Sequence, residues 1–298
     1  MDHGILIADC GDSAVVVRAT AADADRAWQV VHALADAVEA ARLDGVYGIV
    51  PAYDSLLVEF DCSDTDHDTV HRALRAAIER LDDGPAARPS PRRFTVPVVY
   101  GGEYGPDLPV VAEQLGLTER EVVELHTARD LTVRCLGAPA GAPMMDGPAF
   151  PRPVPRLASP RVSVPPGSVA VAGRQAVICP MRSPGGWPLL GRTPLRVLDL
   201  GPVRPILPGS ATPGTAPRGV AGAPAGNHPA DTPAPCDAPH QTPRPIRPRP
   251  AGQALDAEPL TAYRPGDTFR FVAIAPEQWD AYDGTMLAAG AAGAVAHG

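Results

Sequence analysis

The sequence predicts an α+β protein in two parts. A layer of strands and helices fills the first hundred residues, and a compact all-β body follows it. Three observations carry this. Short apolar runs alternate with two helical patterns before residue 100. From 131 onward, helical spacing gives way to short strands between Gly/Pro corners, the pattern of a small barrel or sandwich. Between 202 and 250, where 14 of the 37 prolines fall, apolar periodicity vanishes.

The elements follow in order. Residues 4–9 and 14–18 read as strands about a Cys10-Gly11-Asp12-Ser13 turn. The Ala-rich stretch 21–42 carries Val31, Leu34 and Val38 at helical spacing, with Thr20 and Asp23 as its start signal. Two strands follow, near 46–50 and 55–61. A second helix over 66–81 lines up Val70, Leu74, Ala77, Ile78 and Leu81. Phe94–Val99 is expected to close this first layer as a strand. Thr118 and Glu121 form a capping box opening a helix that runs to about His126. The expected domains are 1–99, then 100–201 joined with 258–275, interrupted by a disordered proline-rich insertion at 202–257. Residues 276–298 are expected to form a flexible tail.

Composition narrows the function. The net charge of −8 argues against a nucleic-acid binder, which needs a basic face. There is no lysine: all 26 basic residues are arginine, so P-loop, Schiff-base and biotin- or PLP-carrying lysines are excluded from this chain. The five cysteines form no C-x-x-C pair and read as reduced thiols. The start Met-Asp-His-Gly lacks a basic, apolar leader, and no run is long enough to span a membrane. A soluble, cytoplasmic protein is expected. No zinc-spaced ligand set, G-x-S-x-G elbow or G-x-G-x-x-G loop appears, so no metal ligand set is expected.

Residues 160–193 hold the candidate chemistry. Arg161 and Arg192 offer planar donor forks suited to a substrate carboxylate or phosphate; the alternative is a structural arginine satisfying loop carbonyls. Gln175 follows a Gly-Arg turn and is either a hydrogen-bond partner for an amide or lactam, or an exposed turn residue. Ser168 and Ser183 are either ligand donors or turn caps. Gly185, Gly186 and Trp187 form either a pocket floor and wall or part of the barrel core. His126 is either an acid–base group or a structural histidine, and Arg156 is a weaker anion-binding candidate. The expectation is that Arg161, Gln175, Trp187 and Arg192 converge on one hollow that grips a small anion.

Ordered strings link these positions. They include Val50-Pro51-Ala52-Tyr53-Asp54-Ser55, Val96-Pro97-Val98-Val99-Tyr100-Gly101-Gly102, Pro155-Arg156, Pro160-Arg161, Val164-Pro165-Pro166-Gly167-Ser168-Val169, Gly173-Arg174-Gln175, Ser183-Pro184-Gly185-Gly186-Trp187, Gly191-Arg192-Thr193-Pro194 and Pro265-Gly266-Asp267. On them the chain resembles the allophanate hydrolase subunit 1 family, which takes in the B-type component of bacterial 5-oxoprolinase (PxpB) and KipI. The resemblance covers roughly 1–200 and 258–275. It implies a ferredoxin-like N-terminal domain and a cyclophilin-like β-barrel domain. It implies a component of an ATP-dependent 5-oxoprolinase-like hydrolase that opens the 5-oxoproline lactam to glutamate. The nucleotide (ATP) would be bound by the complex, with a C-type (allophanate hydrolase subunit 2) partner and an A-type protein. The alternatives it implies are a KipI-like regulator of a histidine kinase and an allophanate- or urea-carboxylase-related component.

The chain departs from the family pattern in one stretch. Gly137-Ala138-Pro139-Ala140-Gly141-Ala142-Pro143-Met144-Met145 keeps the glycines and prolines of a family segment but lacks its two Phe and its Tyr. Cys179 stands where a Tyr is common, and Leu131 where an aromatic is frequent. A pocket wall is expected to be thinner here.

Overall fold

A computed structural model describes residues 4–21, 23–81, 90–199 and 261–290. The N-terminal part runs β1 (Ile5–Asp9), β2 (Ala14–Ala19), α1 (Ala24–Ala41), β3 (Val46–Pro51), β4 (Ser55–Phe60) and α2 (His67–Leu81). The four strands form one antiparallel sheet in the order β1-β2-β4-β3. Strand alternation sets its buried side: Val15, Val17, Leu56, Val58 and Phe60 pack on Val31, Leu34, Val38, Val70 and Leu74 of the two helices. Each such side chain contributes about 1.5–3 kcal/mol on burial. Asp23 caps α1 by accepting from the Asp25 backbone N–H at 3.1 Å. Thr20 instead donates its hydroxyl to the Gly4 carbonyl at 2.5 Å, tying the start of β1 to the end of β2.

The chain order here is ββαββα, whereas a ferredoxin-like domain runs βαββαβ. β2 and β3 run parallel with β4 between them, a split β-α-β core, but β1 supplies the strand beside β2. The strand expected at 94–99 does form, as β5 (Arg93–Tyr100), yet it belongs to the second sheet. The 1–99 boundary is therefore corrected to end before β5. The edge beside β2 is already filled, and nearly every β5 side chain from Phe94 to Val99 is buried, as suits an interior strand.

The second part contains α3 (Leu108–Leu115), α4 (Glu119–Thr127), β6 (Leu131–Gly137), β7 (Ala142–Asp146), β8 (Arg161–Val164), β9 (Ser168–Ala172), β10 (Gln175–Ile178), β11 (Ser183–Gly185), β12 (Leu189–Arg192) and β13 (Thr268–Ala273). Seven strands close a barrel in the order β10-β7-β6-β13-β5-β12-β9. The β5–β13 pair is parallel and its neighbours are antiparallel. β8 and β11 form a separate two-stranded ribbon. Close passage at β12 needs Gly191, where a Cβ would meet the Val99 carbonyl. The capping box of Thr118 and Glu121 is present in both directions, and α4 ends one residue after His126.

β13 enters between β5 and β6 and so completes the closure. Buried Asp267, just before its start, accepts from the Arg92 backbone N–H at 2.9 Å and from Arg92 Nη2 at 2.6 Å. The insertion expected at 202–257 lies outside the described residues. The tail expected from 276 does not hold through 290. Residues 276–281 form a 3-10 helix, and Leu287 is buried with its N–H bonded to the Arg196 carbonyl at 2.9 Å. Its apolar groups fill space against the barrel that sequence spacing alone did not reveal. Residues 291–298 lie outside the described set.

The two parts meet at Arg134 on β6. Its guanidinium bonds Asp25 at 2.5 Å and Asp146 at 2.7 and 3.0 Å, and its carbonyl accepts from Trp28 Nε1 at 2.7 Å. Tyr53, in the β3–β4 turn, donates to the Met145 carbonyl at 3.1 Å. Burial pushes the Tyr53 hydroxyl well above the usual phenol range.

Candidate functional site

β9 lies between β12, which carries Arg192, and β10, which carries Gln175. Arg192 lies opposite Ser168 at the start of β9, and Gln175 lies opposite Ala172 at its end. Four residues of strand separate the two positions, roughly 13 Å. Gln175 and Arg192 therefore sit at opposite ends of β9. Ser168 is buried, and Ser183 pairs across the ribbon with Val164.

A cleft of about 420 Å³ opens where β12 leaves the barrel and the 3-10 helix folds over it. Arg182, Arg192, Arg196, Trp279 and Asp283 line it, together with Pro166, Gly167 and Pro194. Its lining includes three arginines and one aspartate, in a chain of net charge −8. Arg192 is held from two sides. Its Nε donates to the Pro166 carbonyl at 2.8 Å, and its guanidinium lies 5.2 Å from the centre of the Trp279 ring. Among the described residues its two Nη groups have no partner, so they are presented as a donor fork. Arg182 is partly engaged, giving Nη1 to the Ser163 hydroxyl at 2.9 Å. Such a cleft can take a carboxylate or a phosphoryl oxygen pair.

Arg161 is placed differently. Its Nη2 donates to Asp107 at 2.6 Å, and the same carboxylate accepts the Leu189 backbone N–H at 2.8 Å. Arg161 is thus a cross-brace between β8, the start of α3 and the start of β12. It does not line the cleft, and neither do Gln175, Ser183, Gly185, Gly186 or Trp187. Of Arg161, Gln175, Trp187 and Arg192, expected to share one hollow, Arg192 alone lines this cleft. The nearly buried carboxylate of Asp107 draws Arg161 Nη2 to itself, and Arg161 Nη1 is buried without a partner among the described residues.

Gly185 pairs with Arg161 across the ribbon, and Gly186 accepts from the Leu157 N–H at 2.8 Å through its carbonyl. Trp187 is half-buried against a small apolar cluster of Ala142, Val164, Ala170, Val177 and Leu189, alongside Met144 and Cys179. The departures at 142, 144 and 179 therefore converge on one place, the surroundings of Trp187. Burial there raises the Cys179 thiol to about 11.

His126 is corrected outright as a ligand contact. It is fully buried in the barrel core, 4.6 Å from the Phe271 ring centre. The Tyr100 hydroxyl and His126 Nδ1 share a 2.7 Å hydrogen bond. Burial drops its pKa to about 3, which keeps the ring neutral, and its Nε2 is buried without a partner among the described residues.

Sequence reasoning missed Trp279, Arg182 and Arg196. Trp279 fell in a stretch read as tail. The Pro-Glu-Gln-Trp start of a helix at 276 was an available signal for it. Among the described residues, no group of three or more His, Cys, Asp or Glu could hold a metal, and no helix is long and apolar enough to cross a membrane.

The barrel and its neighbouring α/β layer define a class. Residues 5–207 match the family described as "Carboxyltransferase domain, subdomain C and D". The K. lactis urea amidolyase structure superposes with a TM-score of 0.64 over 96% of this chain and 16% of that one; at 15% identity it is similar in fold alone. The crystal structure of TTHA0988 superposes with a TM-score of 0.58 at 27% identity, over 89% of this chain. This chain spans 40% of that protein. The B-type subunit of 5-oxoprolinase from Bacillus subtilis (strain 168) is 36% identical over 200 residues, 63% of this chain and 82% of that protein. The chain belongs to this carboxyltransferase-domain family, within the group of B-type 5-oxoprolinase subunits (PxpB).

Proposed function

We propose that the chain is the B-type subunit of a 5-oxoprolinase-like complex. In this reading the complex opens the lactam of 5-oxoproline to glutamate at the expense of ATP, with a C-type partner and an A-type protein. The observation that carries it is Arg192, a residue with an unpartnered Nη pair that lines an arginine-rich cleft, in a chain similar to the B-type subunits of 5-oxoprolinase. A carboxylate gripped by such a fork gains about 1.5–3 kcal/mol per charged hydrogen bond. Arg182 and Arg196 add positive potential at the mouth, and Trp279 excludes water from one side of the fork.

ATP supplies the phosphoryl group that makes a poor lactam electrophile reactive. The cleft arginines fit a phosphoryl or carboxylate group, whereas the sequence has no glycine-rich P-loop with its lysine. The nucleotide base is accordingly assigned to another surface of the complex. Arg161 keeps a structural share in this scheme, fixing the entry of β12 through Asp107.

The test is reconstitution with a C-type protein, and where needed an A-type one, followed by 5-oxoproline-dependent ATP turnover. Arg192→Ala is expected to lower turnover at least about tenfold while the complex still assembles. Full turnover by that variant removes Arg192 from the site. No turnover in the assembled wild-type complex overturns the reading. One observation favours a second reading, a KipI-like regulator: the Trp187 surroundings carry Ala142, Met144 and Cys179 in place of a fuller wall. Inhibition of a histidine kinase without lactam chemistry would mark it.

A further inference from the structure

The N-terminal sheet has one covered face and one open one. Along β2 and β4, Val15, Val17, Leu56 and Val58 pack on the helices, so Ala14, Val16, Arg18, Ser55, Leu57 and Glu59 face the other way. The register arranges this open face in three rows. The middle row is Ala8–Val16–Leu57–Val50, entirely apolar across all four strands. One flanking row is Leu6–Arg18–Ser55, and the other is Ala14–Glu59–Gly48. Leu6 is 62% exposed and Val50 46%, a poor arrangement for a face meant for water.

The charges on this face are self-complementary. Consider a twofold axis running along the middle row, in the plane between two stacked copies. It keeps each strand at its place along the row and exchanges the two flanking rows. Arg18 of one copy then faces the row carrying Glu59 of the other. The two residues lie on the neighbouring strands β2 and β4, so they are offset by only about 5 Å sideways, within reach across sheets about 10 Å apart. The exchange happens twice, once on each side of the apolar row, as an isologous contact requires. Glu59 has no ion-pair partner among the described residues. Arg18 has one, Asp54 at 3.2 Å, which is itself exposed and sits on the same side.

We propose that this open sheet face pairs with the same face of a second copy of the chain, forming a twofold dimer. The Ala8–Val16–Leu57–Val50 rows stack on each other, and Arg18 and Glu59 pair reciprocally across the interface. The three rows over four strands cover roughly 400 Å² per copy, below the roughly 600 Å² per partner of the smallest stable interfaces, so association is weak, transient and concentration-dependent.

Sedimentation of the full chain over a concentration series tests this. Wild type is expected to shift from monomer to dimer in the micromolar-to-millimolar range; a monomer at every concentration overturns the proposal. Leu57→Asp is expected to abolish the dimer with the thermal midpoint checked by circular dichroism. Glu59→Arg, a change at a half-buried position on the face away from the helices, is expected to raise the dissociation constant at least about tenfold by setting Arg against Arg18 of the second copy. The double variant Arg18→Glu/Glu59→Arg is expected to recover most of that loss. A dimer indifferent to Glu59→Arg uses another face, and a double variant no better than the single one removes the reciprocal pairing; either result overturns the proposal.

Discussion

Arg161 and Asp107 are 54 residues apart in sequence and joined by a 2.6 Å hydrogen-bonded ion pair, while Asp107 also holds the Leu189 N–H. That pair pins three elements at the entry of β12. Asp107 is almost completely buried, and the Arg161 side chain is 30% exposed, so water screens only one partner well. Asp107→Ala is expected to cost about 2–4 kcal/mol, since it leaves a guanidinium and a buried N–H without an acceptor. Asp107→Asn keeps one acceptor and is expected to cost about 1–2 kcal/mol. Urea unfolding midpoints check both; an unchanged midpoint for Asp107→Ala contradicts the brace.

Trp279 positions Arg192. The ring contact at 5.2 Å is worth about 0.5–1 kcal/mol. In the proposed 5-oxoprolinase-like complex, Trp279→Leu is therefore expected to raise KM for 5-oxoproline about two- to fivefold with kcat little changed, and Trp279→Phe to restore most of it. A pure kcat effect would place the ring elsewhere in the cycle.

The buried histidine gives a pH signature. The His126 pKa falls from an ordinary 6.5 to about 3 in the folded protein, because burial disfavours the charged ring. The unfolded chain then binds the extra proton first as pH drops. Folding stability attributable to this group is complete above pH 6.5 and is lost progressively down to about pH 3. Between pH 7 and 5 the loss is about 2 kcal/mol. His126→Phe is expected to flatten that part of the stability profile; an identical slope in wild type and variant rejects the assignment.

Trp28 ties the N-terminal layer to the barrel through a 2.7 Å bond to the Arg134 carbonyl, under a guanidinium 5.2 Å from its ring. Trp28→Ala is expected to destabilise by about 2–3 kcal/mol, read from calorimetry. If the two parts melt separately in the variant but together in wild type, the contact is what couples them.

Local structure was largely legible. β1–β4, α1, α2 and α4 fall within a few residues of their expected bounds, because apolar spacing and caps are properties of neighbouring residues. The site was legible in part. Arg192 lies in a cleft, but His126 is core, Gln175 is at the far end of β9, and Trp279 lay in a stretch without obvious periodicity. Nothing in the sequence around Arg161 signals that a carboxylate 54 residues earlier engages it.

The sequence by itself determined the two-part plan, the strands and helices, the absence of lysine chemistry and the family strings. Only the tertiary structure decided which sheet takes β5 and which arginine opens on the cleft. A strand's alternation says which side is apolar, not whose backbone will bond it, and here β1 had filled the edge while β13 arrived from beyond residue 260. Arg161 and Arg192 are the same residue type in similar corners. One gives Nη2 to the buried carboxylate of Asp107 and the other lies against the face of Trp279, and those distant partners decide which arginine lines the cleft.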